Sequence, residues 1–397
     1  MLLRVLFDSK ERGRSMLSKR PALPYMSYGI FFAAITLINW GCASAGGAPQ
    51  SSQGSGVRSR PSHQVPEDRR FACLERRART ANPKALSDAR AVLAYLREAP
   101  QRPDRRIVTG QFIGGGKFSG LKEINKIHDK TGKWLGMIGN DYALMHAADI
   151  TGNKYLLEYW EQGGLVTVSF HALNPNTHRF ASVKNRNVDI RDLFNPETKA
   201  YRTWIKDLDL AAEGLQELQD KGVVVLWRPF HEMNKDFFWW GNRNVDDFVK
   251  LWRQTFDYLT HTKGLNNLLW VYSPYQAPDT AKYYPGDNYV DVVAMDAYET
   301  DPEKIQGYEQ LAAIDKPFGF AEYGPSGNLF VVIPVIQKNV DYYGIVKTIL
   351  RRFPKTSFLH AWNAGWGFQD HRNIRELMND PAIISRDDLS WRSICAQ

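Results

Sequence analysis

From residue 107 onward, short apolar runs alternate with amphipathic stretches eight times, and no other feature of the chain narrows its fold as far. The runs cover residues 107–110, 134–138, 165–170, 223–227, 268–272, 290–295, 318–321 and 358–362. A strand buried on both faces reads as such a continuous apolar run. Between them lie stretches with helical spacing at 121–128, 155–160, 201–219, 245–259, 302–314, 340–352 and 374–378. Spread over about 270 residues, the alternation predicts an α/β fold of the (β/α)8 TIM-barrel type, whose usual size is about 250 residues. A doubly wound open sheet is the alternative. Its dinucleotide signature G-x-G-x-x-G is not met after the first strand, where Gly114-Gly115-Gly116 has the wrong spacing. That glycine run reads as a flexible loop over the site.

The 397 residues are 43% hydrophobic and 24% charged, ordinary globular material, with a net charge of +8. The charge would suggest an acidic partner if it lay on the barrel. It does not: residues 1–80 hold 13 Lys and Arg against 5 Asp and Glu, which is the whole excess. The rest of the chain is balanced and lacks the basic face that nucleic acid requires, so no nucleic-acid partner is expected. Within the leader, residues 28–40 are uncharged and apolar, follow Lys19 and Arg20, and precede Ala43-Ser44-Ala45. This is the pattern of a secretory signal cleaved after Ala45. The run is short of the roughly 20 residues a permanent membrane helix needs. The competing reading is a lipoprotein whose lipid anchor sits on Cys42.

The organisation expected is therefore a leader over 1–45, a flexible Ser/Gly/Pro-rich linker over 46–65 and a single barrel domain over 66–397, secreted or periplasmic and monomeric. Cys73 and Cys395 flank that domain. In an exported protein they are candidates for a disulfide, with two unpaired thiols as the alternative.

Two of the apolar runs end on a lone glutamate. Residues 222–230 lead into His231-Glu232-Met233-Asn234, and residues 317–321 lead into Glu322-Tyr323-Gly324. In the barrel register these are strands four and seven, and a parallel barrel gathers its chemistry where strands end. Two facing carboxylates suit glycosidic cleavage: one acid protonates the leaving oxygen, and in the retaining case a carboxylate about 5 Å away traps the sugar. Glu232 is the candidate acid/base and Glu322 the candidate nucleophile; a structural ion pair is the alternative for either. His231-Glu232 also begins the zinc motif H-E-x-x-H, but Lys235 stands where the second histidine belongs and the segment reads as a strand end, so no metal is expected. No G-x-S-x-G is present. No cofactor is expected.

Trp227-Arg228-Pro229-Phe230-His231-Glu232-Met233-Asn234, closing with Phe238-Trp239-Trp240-Gly241, resembles the acid/base segment of glycoside hydrolase family 26, most of whose members are β-mannanases. The likeness continues in order through Thr109-Gly110-Gln111, Thr131-Gly132-Lys133, Gly139-Asn140-Asp141-Tyr142, Ser169-Phe170-His171, Asn174-Pro175, Met295-Asp296-Ala297-Tyr298, Ala321-Glu322-Tyr323-Gly324 and Ala361-Trp362-Asn363. The resemblance implies a retaining mechanism on a β-mannan polysaccharide, with β-1,3-xylan and mixed-linkage β-glucan as alternatives. It also implies that His231 and Tyr298 neighbour the two glutamates, that His171 contacts the sugar, and that Trp362 is the platform beneath it. Asp296 and Arg228 are orienting partners or a rim ion pair, and Trp239 and Trp240 are sugar platforms or packing. One departure stands out: Phe237 replaces a family tryptophan that contacts the leaving sugar, and Lys235 replaces a glycine. A barrel that binds polysaccharide without cutting it is the reading from a different class.

Overall fold

A computed structural model describes residues 67–102, 106–142, 149–178, 187–327, 335–363 and 365–395. The leader and linker fall outside these residues. Eight parallel strands form the barrel: β1 (Ile107–Gly115), β2 (Met137–Asp141), β3 (Leu165–Phe170), β4 (Val225–Pro229), β5 (Leu268–Tyr272), β6 (Val292–Tyr298), β7 (Phe318–Gly324) and β8 (Thr356–Ala361). Each pairs with the next, and β8 closes on β1 in the register Val108↔Phe358 to Gln111↔Ala361. All eight expected runs are strands. The differences lie at the ends: β1, β2, β6 and β7 continue three to five residues beyond the apolar run, to Gly115, Asp141, Tyr298 and Gly324. The ladder persists there because backbone pairing does not depend on side-chain polarity, whereas the apolar pattern stops where polar groups begin to line the mouth.

Among the described residues there are nine α-helices: α1 (Glu67–Arg77), α2 (Ser87–Glu98), α3 (Lys122–Thr131), α4 (Asn153–Glu161), α5 (Lys199–Asp220), α6 (Val245–Asp257), α7 (Tyr308–Ala312), α8 (Tyr342–Arg352) and α9 (Ile374–Met378). In α5 the Thr198 hydroxyl accepts the Tyr201 N–H at the start, and Trp204, Leu208, Ala211, Leu215 and Leu218 recur at helical spacing on the buried face. The expected helix over 302–314 is shorter, a 3-10 turn at Pro302–Lys304 followed by α7. Gly307 interrupts it with φ 89°, and a Cβ there would lie 2.1 Å from the Ala277 carbonyl oxygen.

Helices α1 and α2 lie outside the eightfold alternation and seal the N-terminal end of the barrel. The Leu86 N–H donates to the Asn266 carbonyl at 2.8 Å, the Ala81 N–H to Asp291 at 2.6 Å, and the Ser357 hydroxyl to the Leu96 carbonyl at 2.5 Å. All three partners lie at strand starts. Helix α2 is buried from Ala89 to Leu96, Arg90 included, whose guanidinium donates to the Ala85 and Pro83 carbonyls. Helix α1 is joined to the far end of the chain by the Cys73–Cys395 disulfide, with Cα atoms 6.0 Å apart. With one end of the barrel covered in this way, the cleft belongs at the other, where the strands end.

Candidate active site

Strand β4 is buried along its length and ends at Pro229. The chain then makes a tight turn in which Phe230 and Glu232 adopt φ of 53° and 55°, a left-handed conformation that bulky side chains rarely take. Packing and hydrogen bonds hold it there. The Phe230 ring is fully buried, 5.6–6.4 Å from those of Trp204, Trp239, Trp240 and Phe248. The Glu232 N–H donates to the Ser273 carbonyl, the Trp240 indole to the His231 carbonyl, and the Asn242 N–H to the Met233 carbonyl, each at 2.8 Å. Asn234 fixes the neighbouring loop by donating to the Tyr275 carbonyl at 2.9 Å and accepting the Tyr275 N–H at 2.8 Å. Glu232 is thereby set at the strand end with 6% of its surface exposed. Its negative charge reaches Tyr275, whose phenol is pushed up to about 12 by burial first and Glu232 second.

Glu322 lies on β7, 4% exposed, beside Asp296 of β6, where an irregularity between Met295 and Asp296 shifts the register. Such a shift re-aims side chains at a barrel rim. Both oxygens of Glu322 are held: the Tyr298 hydroxyl donates to Oε2 at 2.6 Å, and Arg228 Nη2 donates to Oε1. The other arm of Arg228 donates to Asp296 Oδ2 at 2.8 Å, and the Ser273 hydroxyl donates to Asp296 Oδ1 at 2.6 Å. One guanidinium thus balances two buried carboxylates. Burial works against its charge, but Asp296 and Glu322 hold it above its ordinary value. Burial pushes the Asp296 carboxyl up against the pull of Arg228, and Glu322 adds to the rise. The Tyr298 phenol is pushed up by burial and then by Glu322, so it remains a proton-bearing donor to that carboxylate.

A second chain of groups reaches the site from β2 and β3. Asp141 Oδ2 accepts from the Ser169 hydroxyl at 2.5 Å and from His171 Nδ1 at 2.6 Å, and His171 Nε2 lies 3.0 Å from His231 Nε2. A carboxylate only accepts, so His171 Nδ1 is the donor to Asp141, and its Nε2 is placed to accept from His231. His231 therefore carries its proton on Nε2, 3.9 Å from Glu322 Oε1, and its Nδ1 has no hydrogen-bond partner among the described residues. Burial, then Arg228 and His171, push His231 well below the usual imidazole range, so it stays neutral. His231, Asp296 and Glu322 bring possible metal-ligand atoms within 4.8 Å of one another. The Arg228 guanidinium already lies on both carboxylates and supplies the positive charge an ion would bring there.

The aromatic residues divide by exposure. Trp362 is half-buried and stacks on Phe112 with ring centroids 4.0 Å apart, 6.1 Å from the His171 ring. Phe237 is half-buried and meets Tyr275 edge-on at 5.4 Å. Trp240 and Trp239 are fully buried, with their indole N–H groups on the His231 and Ala172 carbonyls. Trp240 was expected among the substrate-contacting residues, but its ring stacks on Phe238 at 4.6 Å, so it packs behind His231 and offers no face to a ligand. Arg228 and Asp296 are 3% and 0% exposed, so the rim ion pair is replaced by a buried one. The glycine run at 114–116, expected as a flexible loop, instead completes β1 and enters a 3-10 turn that is held in place: the Lys117 N–H donates to Asp149 Oδ2 at 2.9 Å and the Ser119 hydroxyl to Asn140 Oδ1 at 2.6 Å. Sequence reasoning gave no role to Asp141, Ser273, Tyr275 or Trp366, whose ring lies 5.4 Å from that of Tyr298. Asp141 carried a signal, as the charged last residue of a strand.

A closed parallel barrel with two buried carboxylates at the ends of β4 and β7 is the frame of a barrel glycosidase. Residues 81–388 match the model of glycosyl hydrolase family 26, and the chain belongs to that family. It is 36% identical over 334 residues to mannan endo-1,4-beta-mannosidase A and B of Caldalkalibacillus mannanilyticus, covering 79% of this chain and 64% of that protein. It is 33% identical over 331 residues to the mannan endo-1,4-beta-mannosidase of Bacillus subtilis strain 168, covering 78% of this chain and 88% of that one. Among solved structures, a Bacillus subtilis mannanase superposes with a TM-score of 0.72 at 31% identity, over 78% of this chain and 95% of its own.

Proposed function

We propose that the protein is a retaining mannan endo-1,4-β-mannosidase in which Glu232 is the acid/base and Glu322 the nucleophile. The observation that carries this reading is the different support of the two carboxylates. Glu322 has a donor on each oxygen, Tyr298 and Arg228, which suits a nucleophile that must be held and aimed. Glu232 is set on a strained turn at the end of the facing strand. In the first step a Glu322 oxygen attacks the anomeric carbon while Glu232 gives its proton to the glycosidic oxygen, and the C–O bond breaks as a glycosyl-enzyme ester forms. In the second, Glu232 takes a proton from water, the hydroxide adds to the anomeric carbon, and Glu322 departs as carboxylate.

His231, fixed through His171 and Asp141, keeps a neutral N–H beside Glu322, and Asp296 holds Arg228 in place. Trp362, backed by Phe112, is the platform for the sugar that is trapped, with His171 as its polar contact. Phe237 offers an apolar face to the leaving sugar but no indole N–H, so that contact is weaker than a tryptophan would make it. Mannan as substrate rests on the names of the relatives, and export of the mature domain on the leader pattern alone.

Product analysis on soluble β-mannan tests the reading. Short β-configured oligosaccharides are expected first. Glu232→Ala is expected to lose roughly 10²–10⁴-fold on mannan and much less on an aryl mannoside whose leaving group needs no proton. Glu322→Ala is expected to be inactive on both. Initial release of the inverted anomer, or an equal loss on both substrates for Glu232→Ala, would contradict the assignment.

A further inference from the structure

We propose that Phe118 is a second sugar platform, on the non-reducing side of the cleavage point, which holds the mannan chain beyond the Trp362 platform. The inference rests on the mannanase reading above and deepens it. Direction comes first. The group that protonates the leaving oxygen, Glu232, lies after β4 with Phe237 close behind it, so the leaving part of the chain extends over the β4 and β5 ends. The trapped part therefore extends the other way, over Trp362 at the end of β8 and the strand that backs it. That strand is β1, through Phe112.

Beyond Phe112, β1 continues to Gly115, which pairs with Asp141, and then turns through Gly116–Phe118. The turn is built to hold one position. Gly114 has φ 114°, and a Cβ on it would stand 2.6 Å from the Phe118 carbonyl oxygen. Gly116 has φ 49°, and a Cβ there would meet Asp149 Oδ2 at 2.1 Å. That close approach lets Asp149 accept the Lys117 N–H at 2.9 Å while its other oxygen takes the Thr151 hydroxyl at 2.7 Å. The Gly120 N–H returns to the Ile113 carbonyl at 3.0 Å, and Ser119 is buried against Asn140.

Out of this pinned turn Phe118 stands 48% exposed. Among the described residues one other large apolar side chain is comparably exposed, Phe71, and it lies on α1, at the closed end of the barrel away from the cleft. A ring carried on a held turn loses less freedom on binding than one on a loose loop, and an aromatic face packs on the C–H face of a pyranose. Lys117 Nζ lies over the Phe118 ring, 5.3 Å from its centroid, and can donate to the hydroxyls of a sugar packed there. Phe118 lies six positions beyond Phe112, a reach of at most about 20 Å, the span of a few sugar units.

The experiment compares mannohexaose with mannotriose. The ratio of kcat/KM for hexaose to that for triose is expected to fall roughly 3–10-fold in Phe118→Ala, to recover in Phe118→Trp, and to stay unchanged in Phe71→Ala. In a Glu322→Ala background, calorimetric titration with mannohexaose is expected to show the same 3–10-fold loss when Phe118→Ala is added. A wild type that cuts mannan while Phe118→Ala leaves both the ratio and the hexaose affinity unchanged overturns this inference alone. A wild type that neither cuts nor binds manno-oligosaccharides overturns the mannanase reading, and this inference with it.

Discussion

At the scale of single residues, Arg228 carries more of the site than its place in the sequence suggests. It was legible as an orienting partner of a glutamate or as one half of a rim ion pair, but not as the cation shared by two carboxylates that lie 68 and 94 residues further along the chain. Removing one member of a buried ionic cluster leaves the others uncompensated. Arg228→Met is therefore expected to lower unfolding stability by about 3–5 kcal/mol and to abolish measurable turnover, with Arg228→Lys, which keeps the charge but not the fork, recovering part of the stability. Urea titration of the three proteins checks this, and an Arg228→Met protein as stable as wild type would remove the cluster from the account. Glu232 and Glu322 were readable because each breaks an apolar run at a strand end. The opposite assignments of Trp240 and Trp362 were not readable, because both are tryptophans near the site and only packing buries one and leaves the other half-open.

At the scale of elements, the apolar runs located every strand, and the strand ends were what they missed. Backbone pairing in β1, β2, β6 and β7 outlasts the apolar pattern, and the extra residues include Asp141, Tyr298 and the glycines that launch the Phe118 turn. Interior glycines also have an element-scale meaning that the run pattern hides. On β1 and β2, Gly110 and Gly139 leave the space that the His360 ring of β8 fills; a Cβ on Gly139 would lie 2.5 Å from that ring and 3.0 Å from Thr167. Gly139→Ala is expected to destabilise the barrel by about 1–3 kcal/mol through overpacking, without changing the denaturant m-value. Chemical denaturation decides it, and an unchanged midpoint would mean that the barrel interior yields more easily than its packing suggests. The helix over 302–314 was overextended for a related reason: the contact of Gly307 with Ala277 is tertiary, so helical spacing continued through a break it could not register.

At the scale of the whole molecule, acid stability sets two buried groups against each other. Asp291, which accepts the Ala81 and Trp270 N–H groups and ties the N-terminal segment to the barrel base, is pushed up to about 6 by burial. Its contribution to stability is full below its unfolded value of 3.8 and is lost as pH rises through about 6. His360 is pushed down to about 3 by burial and then Arg228, so its contribution is full above 6.5 and is lost as pH falls toward 3. Between about pH 4 and 6 the two oppose each other. Asp291→Asn removes the opposing member, so its melting temperature is expected to fall more steeply than that of wild type as pH drops from 6.5 to 4. Calorimetry across that range tests the sign; parallel curves would show that Asp291 does not titrate there.

By itself the sequence determined the barrel, its strand count and the two glutamates, because alternation of apolar runs with helical spacing is local and a charged residue ending such a run is visible one position at a time. Tertiary structure alone decided how those glutamates are held. The guanidinium shared by Asp296 and Glu322, the Asp141–His171–His231 chain that fixes a proton on one nitrogen, and the helices that close the base all join residues distant in sequence. Their energies depend on burial and hydrogen-bond distance, which exist only once the strands have closed.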